Sequence, residues 1–334
     1  MANIVRIPRF YYYSYALGVA VKRLLGLSCK KHRTFFLMRV MRAFEQGRIT
    51  GRLEITTAVK RDGAGAQGLA RFSARCFARA YGLTYRHTAF QTMAHAELPM
   101  EEWVAAWEQL LELGAEAPLA SDSNLPMVDL ETYAMTPSLW REDRLLETRH
   151  FHAFLELAPT SGQQVARELR SRFIMRHGES IRKTSAPLAV RVHVRRGDVS
   201  SDDAQTKHRF VANQQITPII KAIIRVIQRL GLACEVSLYS LGDELDFKEF
   251  KEIPGLKLML GLSALDTFKE LTDSDVLLMA QSDFSHLAAL YARGVVICDP
   301  RHRAGLPTWL GFEPATGQID EQLLSSRLRA SCGG

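Results

Sequence analysis

Between residues 188 and 300 the chain alternates two hydrophobic patterns. Short, nearly continuous apolar runs read as strands: LAVRVHV (Leu188–Val194), CEVSLYSLG (Cys234–Gly242), LKLMLG (Leu256–Gly261), DVLLMA (Asp275–Ala280) and VVICDP (Val295–Pro300). Between them, ITPIIKAIIRVIQRLG (Ile216–Gly231), LDTFKELTDS (Leu265–Ser274) and FSHLAALYARG (Phe284–Gly294) repeat apolar residues at helical spacing. Apolar strands joined through helices predict an α/β fold whose parallel sheet is covered on both faces, a doubly wound domain. Such sheets bind ligands at the carboxyl ends of their strands, which here carry Arg195, Arg196, Ser240, Asp266 and residues 281–285.

Upstream the pattern is less regular. Asp62–Phe90 reads as a glycine turn (Gly63, Gly65, Gly68), an amphipathic helix over Gln67–Tyr81 and a short strand. A helix amino terminus offers unpaired N–H groups to an anion, although glycines before a helix serve equally as an ordinary turn. EEWVAAWEQLLELG places Trp103, Trp107, Leu110 and Leu111 on one helical stripe, a core face, with Gly114 as the stop. Ala115–Glu147, richer in Pro, Ser and Asp, predicts an irregular connection. Ser161–His177 predicts a long helix capped by Thr160 or Ser161. A length of 334 residues exceeds what one core usually fills, so two domains are expected, 1–160 and 161–334, with a cleft between them.

Composition changes this picture little: 47% apolar and 24% charged residues, without repeats or low-complexity tracts, describe an ordinary globular chain. Charge adds more. The net charge is +7, and no acidic residue precedes Glu45, whereas Arg6, Arg9, Lys22, Arg23, Lys30 and Lys31 do. This basic, aromatic-rich amino-terminal segment suits either contact with an anionic membrane surface or a packed helix with a solvated basic face. Its apolar run Tyr11–Val21 is too short to span a bilayer, and no signal-peptide pattern is present. The five cysteines are scattered without metal-ligand spacing, which implies no zinc site and a reducing, cytoplasmic setting. None of the common nucleic-acid recognition motifs accompanies the basic charge.

The candidate chemistry centres on RVHVRRGDVSSDD (Arg191–Asp203), where a strand ends in two adjacent arginines. Arg195 and Arg196 supply forked donors suited to a phosphate, and Ser282 and Ser285 stand at the entrance of a helix whose dipole favours an anion. A diphosphate is the anion such a set holds. Asp198, Asp202, Asp203 and Asp266 lie near in the sheet plan; one carboxylate suits the edge of a base and another a general base. Asp198 also suits a structural pairing with an arginine, and His193 a buried core position. His87 and His95, in YRHTAFQTMAH, are either acceptor-side or structural.

HVRRGD (His193–Asp198) resembles the HxRRxD motif of the fucosyltransferase superfamily, which includes α-1,6-, α-1,2- and protein O-fucosyltransferases. SDVLLMAQSDFSHLAALYARGVVI (Ser274–Ile297) is similar to its carboxyl-terminal motif, including the turn Ser282, Asp283, Phe284 and Ser285, and VSLYSLGDELDF resembles its middle motif. The early segment DGAGAQ, with Gly63, Gly65 and Gln67, resembles the glycine turn of bacterial members. The resemblance implies a GT-B architecture, two Rossmann-like domains facing a cleft, and an inverting, metal-independent transfer of a sugar from a GDP-sugar, foremost GDP-fucose, onto a glycan or lipid-linked glycan hydroxyl. It further implies that Arg195 grips the β-phosphate beside Arg196, that His193 and Asp266 attend the guanosine, and that Asp203, ten residues after His193, is the general base, with Asp202 its competitor. GDP-mannose, GDP-rhamnose or a UDP-sugar as donor, or a non-catalytic nucleotide-sugar or glycan-binding protein, are the alternatives.

Overall fold

The computed structural model describes residues 31–149, 153–178, 186–204, 206–302 and 305–332. The basic amino-terminal segment up to residue 30 lies outside the described residues. The described residues divide into two compact units: those up to Gly63 with those of Gln67–Val165, and Ala64–Ala66 with the described residues from Ala166 onward. The division falls inside a helix rather than at 160/161.

The first unit is built on helix α1 (Lys31–Glu45), strand β1 (Leu53–Thr57), α2 (Ala64–Tyr81), β2 (Thr84–Tyr85), α3 (Met100–Leu111), β3 (Met127–Asp129), α4 (Leu130–Met135), β4 (Arg144–Thr148), α5 (Ala153–Leu157) and the start of α6 (Pro159–His177). Its four strands form an all-parallel sheet in the order β2-β1-β4-β3. Every residue of β1 is buried, and it pairs with β4 from Leu53↔Arg144 to Thr57↔Thr148. The stretch 115–147 is therefore not a mere connection, because it supplies β3 and most of β4. Strands of three and five residues are too short to show a period, and β4 finds its place on β1, some ninety residues away, with β3 then pairing on β4.

Helix α2 starts at Ala64, three residues earlier than expected, so Gly65 and Gly68 lie within it and only Gly63 precedes it as the cap. It ends on Gly82, whose φ of 68° closes the last turn. Helix α3 buries Trp103, Trp107, Leu110 and Leu111, as their spacing predicts. Its stop is Glu112 at φ 48°, not Gly114; Gly114 instead lies against the His87 ring, 2.5 Å from where its Cβ would stand. Helix α6 begins at Pro159, a residue pre-set for a first helical position, which places Thr160 and Ser161 inside the helix rather than at its cap.

The second unit holds the rest of α6, β5 (Leu188–His193), α7 (Asn213–Arg229), β6 (Cys234–Ser240), β7 (Lys257–Leu260), α8 (Ala264–Thr272), β8 (Val276–Leu278), α9 (Asp283–Tyr291), β9 (Val295–Cys298), β10 (Leu310–Glu313), β11 (Gln318–Ile319) and α10 (Glu321–Cys332). Its seven strands run in the order β11-β10-β9-β8-β5-β6-β7, parallel except for β11. This is the doubly wound sheet that the alternating pattern predicts. Val190, Val192, Leu238, Leu278 and Ile297 form its interior, and α7 lays Ile216, Ile219, Ile220, Ile223, Val226 and Ile227 against it. Each such side chain stabilises the fold by about 1.5–3 kcal/mol relative to exposure. From β5 the chain winds to β6 and β7 on one side, then returns to β8, β9 and β10 on the other. The strand order thus reverses between β5 and β8, and crevices at such points receive ligands.

Candidate ligand site at the sheet switch point

A pocket lies where the carboxyl ends of β5 and β8 part, lined by residues 193–196 and 278–281 together with Arg209, Val211, Asp299 and Phe312. His193 closes β5. Its ring sits 5.5 Å from that of Phe284, which Phe268 backs at 5.9 Å. Burial, and then the charge of Arg195, push its pKa down to about 3, so the imidazole is neutral in ordinary buffers. Its Nδ1 is buried without a partner. A satisfied core histidine would not leave this atom idle, and an orphaned buried nitrogen beside a pocket is a place for a ligand group.

The two arginines part company. Asp198 N donates to Arg196 O (3.1 Å) around Gly197, whose φ of 80° makes a tight three-residue turn that a side chain would strain. The turn folds Asp198 back on Arg195, with Nε donating to Oδ1 (3.1 Å) and Nη2 to Oδ2 (2.6 Å). One edge of the guanidinium is thereby fixed, while Nη1 has no partner among the described residues. Arg196 turns inward and is 8% exposed. Its Nη1 donates to Arg195 O (2.9 Å), its Nη2 to Val211 O (2.9 Å) and Asn213 Oδ1 (2.6 Å), and its plane lies 4.2 Å over the Phe210 ring. Burial depresses its pKa, and Asp246 and Glu249 oppose that shift. Arg196 is committed to holding the loop before α7, a correction to the expectation that both arginines serve as phosphate donors.

The serines are corrected in the same sense. Ser282 caps α9 by accepting from Ser285 N (3.1 Å), and Ser285 Oγ donates to Ala280 O (3.0 Å). Both are fully buried, so neither hydroxyl stands open at the helix entrance. Asp283 and Phe284 form the first turn of α9. Ser240 Oγ donates to Val194 O (2.6 Å), lacing β6 to the end of β5. Gly65, counted with this unit, comes so close to α9 that a Cβ there would lie 2.4 Å from Phe284 N. Its glycine is a packing requirement at the helix start.

The carboxylates are dispersed. Asp203 lies in an exposed loop, where its Oδ2 accepts from Thr206 Oγ1 (2.8 Å) and its carbonyl from Lys207 N (2.8 Å); Asp202 Oδ1 accepts from Ser201 Oγ (3.0 Å). Asp266 belongs to the first turn of α8, within the helix its sequence predicts, and exchanges hydrogen bonds with the Ser263 cap (2.7 and 3.0 Å). None of the three lines the pocket.

In the first unit, Gln67 is buried and ties Asp62 O (2.7 Å) to Thr92 O (2.8 Å), while Gly63 stands 3.7 Å from the His95 ring by the position of its would-be Cβ. His87 is buried, its Nδ1 meeting Tyr85 OH (3.1 Å) and its Nε2 Glu108 (3.0 Å), so it cannot face an acceptor. Burial acts to raise Glu108, and the bonds from His87 and Phe90 N outweigh it. His95 is exposed, with a left-handed φ of 59°.

Sequence reasoning missed Asp299, Arg301 and Arg209. Asp299 follows β9 and is buried, accepting from Gln281 Nε2 (2.7 Å) and bidentately from Arg301 (3.2 and 3.0 Å). The aspartate in VVICDP was a usable signal, being polar at a strand's carboxyl end; Arg209 ends a single 3-10 turn, Lys207–Arg209, too short to show a pattern, and carries none.

Among the described residues no group of three or more His, Cys, Asp or Glu is placed to hold a metal ion, and no helix is long and apolar enough to cross a membrane. No family model matches the chain, and no curated protein does. Solved structures resemble it: Bradyrhizobium fucosyltransferase NodZ at 14% identity and TM-score 0.44, over 81% of this chain and 98% of that one; a variant of Arabidopsis thaliana FUT1 in complex with GDP at 11% and 0.38, over 81% and 77%; and E. coli heptosyltransferase WaaC with ADP at 11% and 0.39, over 84% and 99%. At such TM-scores the likenesses are too loose to assign a substrate or the role of any residue.

Proposed function

We propose that the second unit binds the diphosphate of a nucleotide sugar at the switch point, and that the protein transfers the sugar, foremost fucose from GDP-fucose, to a hydroxyl of a glycan acceptor with inversion and without a metal. The observation that carries this reading is Arg195: one guanidinium edge is pinned by Asp198, and Nη1 is left over at a pocket where the strand order reverses. A pre-positioned cation there favours the transition state over the ground state, since charge grows on the diphosphate as the glycosidic bond breaks. The acceptor oxygen attacks the anomeric carbon, its proton passes to a carboxylate, and the bonding pair leaves on the β-phosphate oxygen. Asp203 is the proposed proton acceptor on the motif resemblance alone, which puts a carboxylate ten residues after the histidine; it stands in the exposed loop outside the pocket lining. His193, neutral with an orphaned Nδ1, supports a hydrogen bond to the nucleoside. Asp198 acts as a positioning residue through Arg195.

The test is a donor screen by competitive nucleotide binding, followed by turnover. Tighter binding of GDP than of UDP or ADP, with release of GDP from GDP-fucose in the presence of glycan acceptors, is the expected outcome. Preference for UDP would move the protein to another donor; binding without any turnover would make it a nucleotide-sugar-binding protein.

A further inference from the structure

Beside the switch-point pocket, at the carboxyl ends of β9 and β10, a second and wider hollow of about 450 Å³ opens to solvent. It shares Val211, Gln281, Asp299 and Phe312 with the first pocket and extends to Phe210 and Arg301. We propose that this hollow is a subsite for a sugar ring, with Arg301 and Gln281 as its polar contacts and Phe210 and Phe312 as its apolar wall. The proposal deepens the nucleotide-sugar reading and rests on it for the source of the ring.

The arrangement around Asp299 points to an uncharged, hydroxyl-rich ligand. The Asp299 side chain is 4% exposed and accepts four bonds: from Gln281 Nε2, from Arg301 N (2.9 Å) and from Arg301 Nε and Nη2. Its lone pairs are filled, so it does not itself meet a ligand; it fixes two planar groups at the rim. That leaves Arg301 Nη1 and Gln281 Oε1 without partners among the described residues, a donor and an acceptor at fixed positions. Rigid planar donors of this kind suit paired hydroxyls. The Arg301 side chain is 64% exposed, so the pair reaches solvent and is not a core bridge. Phe210 is held in place under Arg196, and Phe312 is buried on β10, which supplies a wall for the apolar face of a ring. A second phosphate suits the hollow poorly: Asp299 already neutralises Arg301, and Glu313 adds to the negative field. The shared wall of Val211, Gln281, Asp299 and Phe312 makes this space adjoin the pocket that Arg195 lines, where a diphosphate would carry its ring.

The test is saturation-transfer NMR of free L-fucose, D-mannose and N-acetylglucosamine with the full chain and with Arg301→Ala and Arg301→Lys. The lysine variant keeps a cation beside Asp299 and removes only the fork. Transfer to the ring protons of at least one sugar is expected, reduced about tenfold in the alanine variant, the worth of one hydrogen bond to a charged group. The lysine variant should lose most of the signal as well, while GDP affinity by calorimetry stays unchanged in both. Displacement of the free sugar by GDP-fucose but not by GDP assigns the subsite to the donor's ring; retention in the presence of both assigns it to the acceptor's. Absence of transfer to all three sugars, or equal transfer in the variants, overturns the proposal. GDP binding without sugar binding removes the subsite and leaves the nucleotide reading; sugar binding without GDP binding does the reverse.

Discussion

Glu54 and Arg195 are both charged groups on parallel sheets, one in the middle of β1 and the other just past the end of β5. The Glu54 side chain is 1% exposed and its oxygens are filled by Arg52 (2.5 Å), Arg86 and Ser123 (2.9 Å). Arg195 is 22% exposed, has a single carboxylate partner and keeps Nη1 in hand. The first unit repeats the closed arrangement in Tyr85–His87–Glu108. The second repeats the open one in His193 and Arg301. A charge in the middle of a strand must be compensated by the fold, whereas a charge at a strand's carboxyl end can be half-compensated and leave the rest to a ligand.

Substitutions that attack the two arrangements should therefore differ in what they damage. Glu54→Ala strands Arg86, whose side chain is only 12% exposed, and is expected to cost about 3–5 kcal/mol in urea unfolding. A loss below about 1 kcal/mol would put Glu54 among ordinary surface pairs. Arg195→Ala should leave the unfolding midpoint nearly unmoved, because its partner Asp198 is 45% exposed, yet lower transfer about a hundredfold, roughly 3 kcal/mol. Arg196→Ala should behave like a first-unit substitution despite being the next residue. It leaves Arg195 O, Val211 O and Asn213 without their donor, at a cost of about 2 kcal/mol in stability.

His193 sharpens the comparison through pH. Its folded pKa, about 3, lies below its ordinary 6.5, so the unfolded chain takes up a proton that the fold refuses. Stability is complete above 6.5, falls as the pH drops from 6.5 toward 3, and levels off below. His193→Leu should remove about 1 kcal/mol of the loss seen between about pH 7 and pH 5.5, measured as the change in unfolding free energy. An unchanged slope would mean that the imidazole is solvated.

The second unit was largely readable because its strands are short, mainly apolar runs and its helices carry apolar stripes like the isoleucines and valine of α7; each element announces itself locally. The first unit was not. β1, β3 and β4 are short, and Glu54 and Thr56 are buried against the pattern, stabilised by partners that only the fold brings near, while Thr57 Oγ1 is buried without one. At the site, RR at a strand end was visible, but nothing local distinguishes Arg195 from Arg196. That distinction is made by Gly197, whose turn brings Asp198 to one, and by Val211 and Asn213, fifteen and seventeen residues on, which claim the other. Asp266 and Ser282 were noticed for their place at loop ends, where capping uses the same residue types as ligand binding.

The central claim is that Arg195 is the half-compensated cation that meets the diphosphate. Calorimetry of GDP against the full chain, Arg195→Ala and Arg196→Ala tests it most directly. GDP binding is expected to fall about a hundredfold in folded Arg195→Ala, roughly 3 kcal/mol, with the Arg196→Ala loss following its instability. Equal GDP affinity in the wild type and in Arg195→Ala would contradict it.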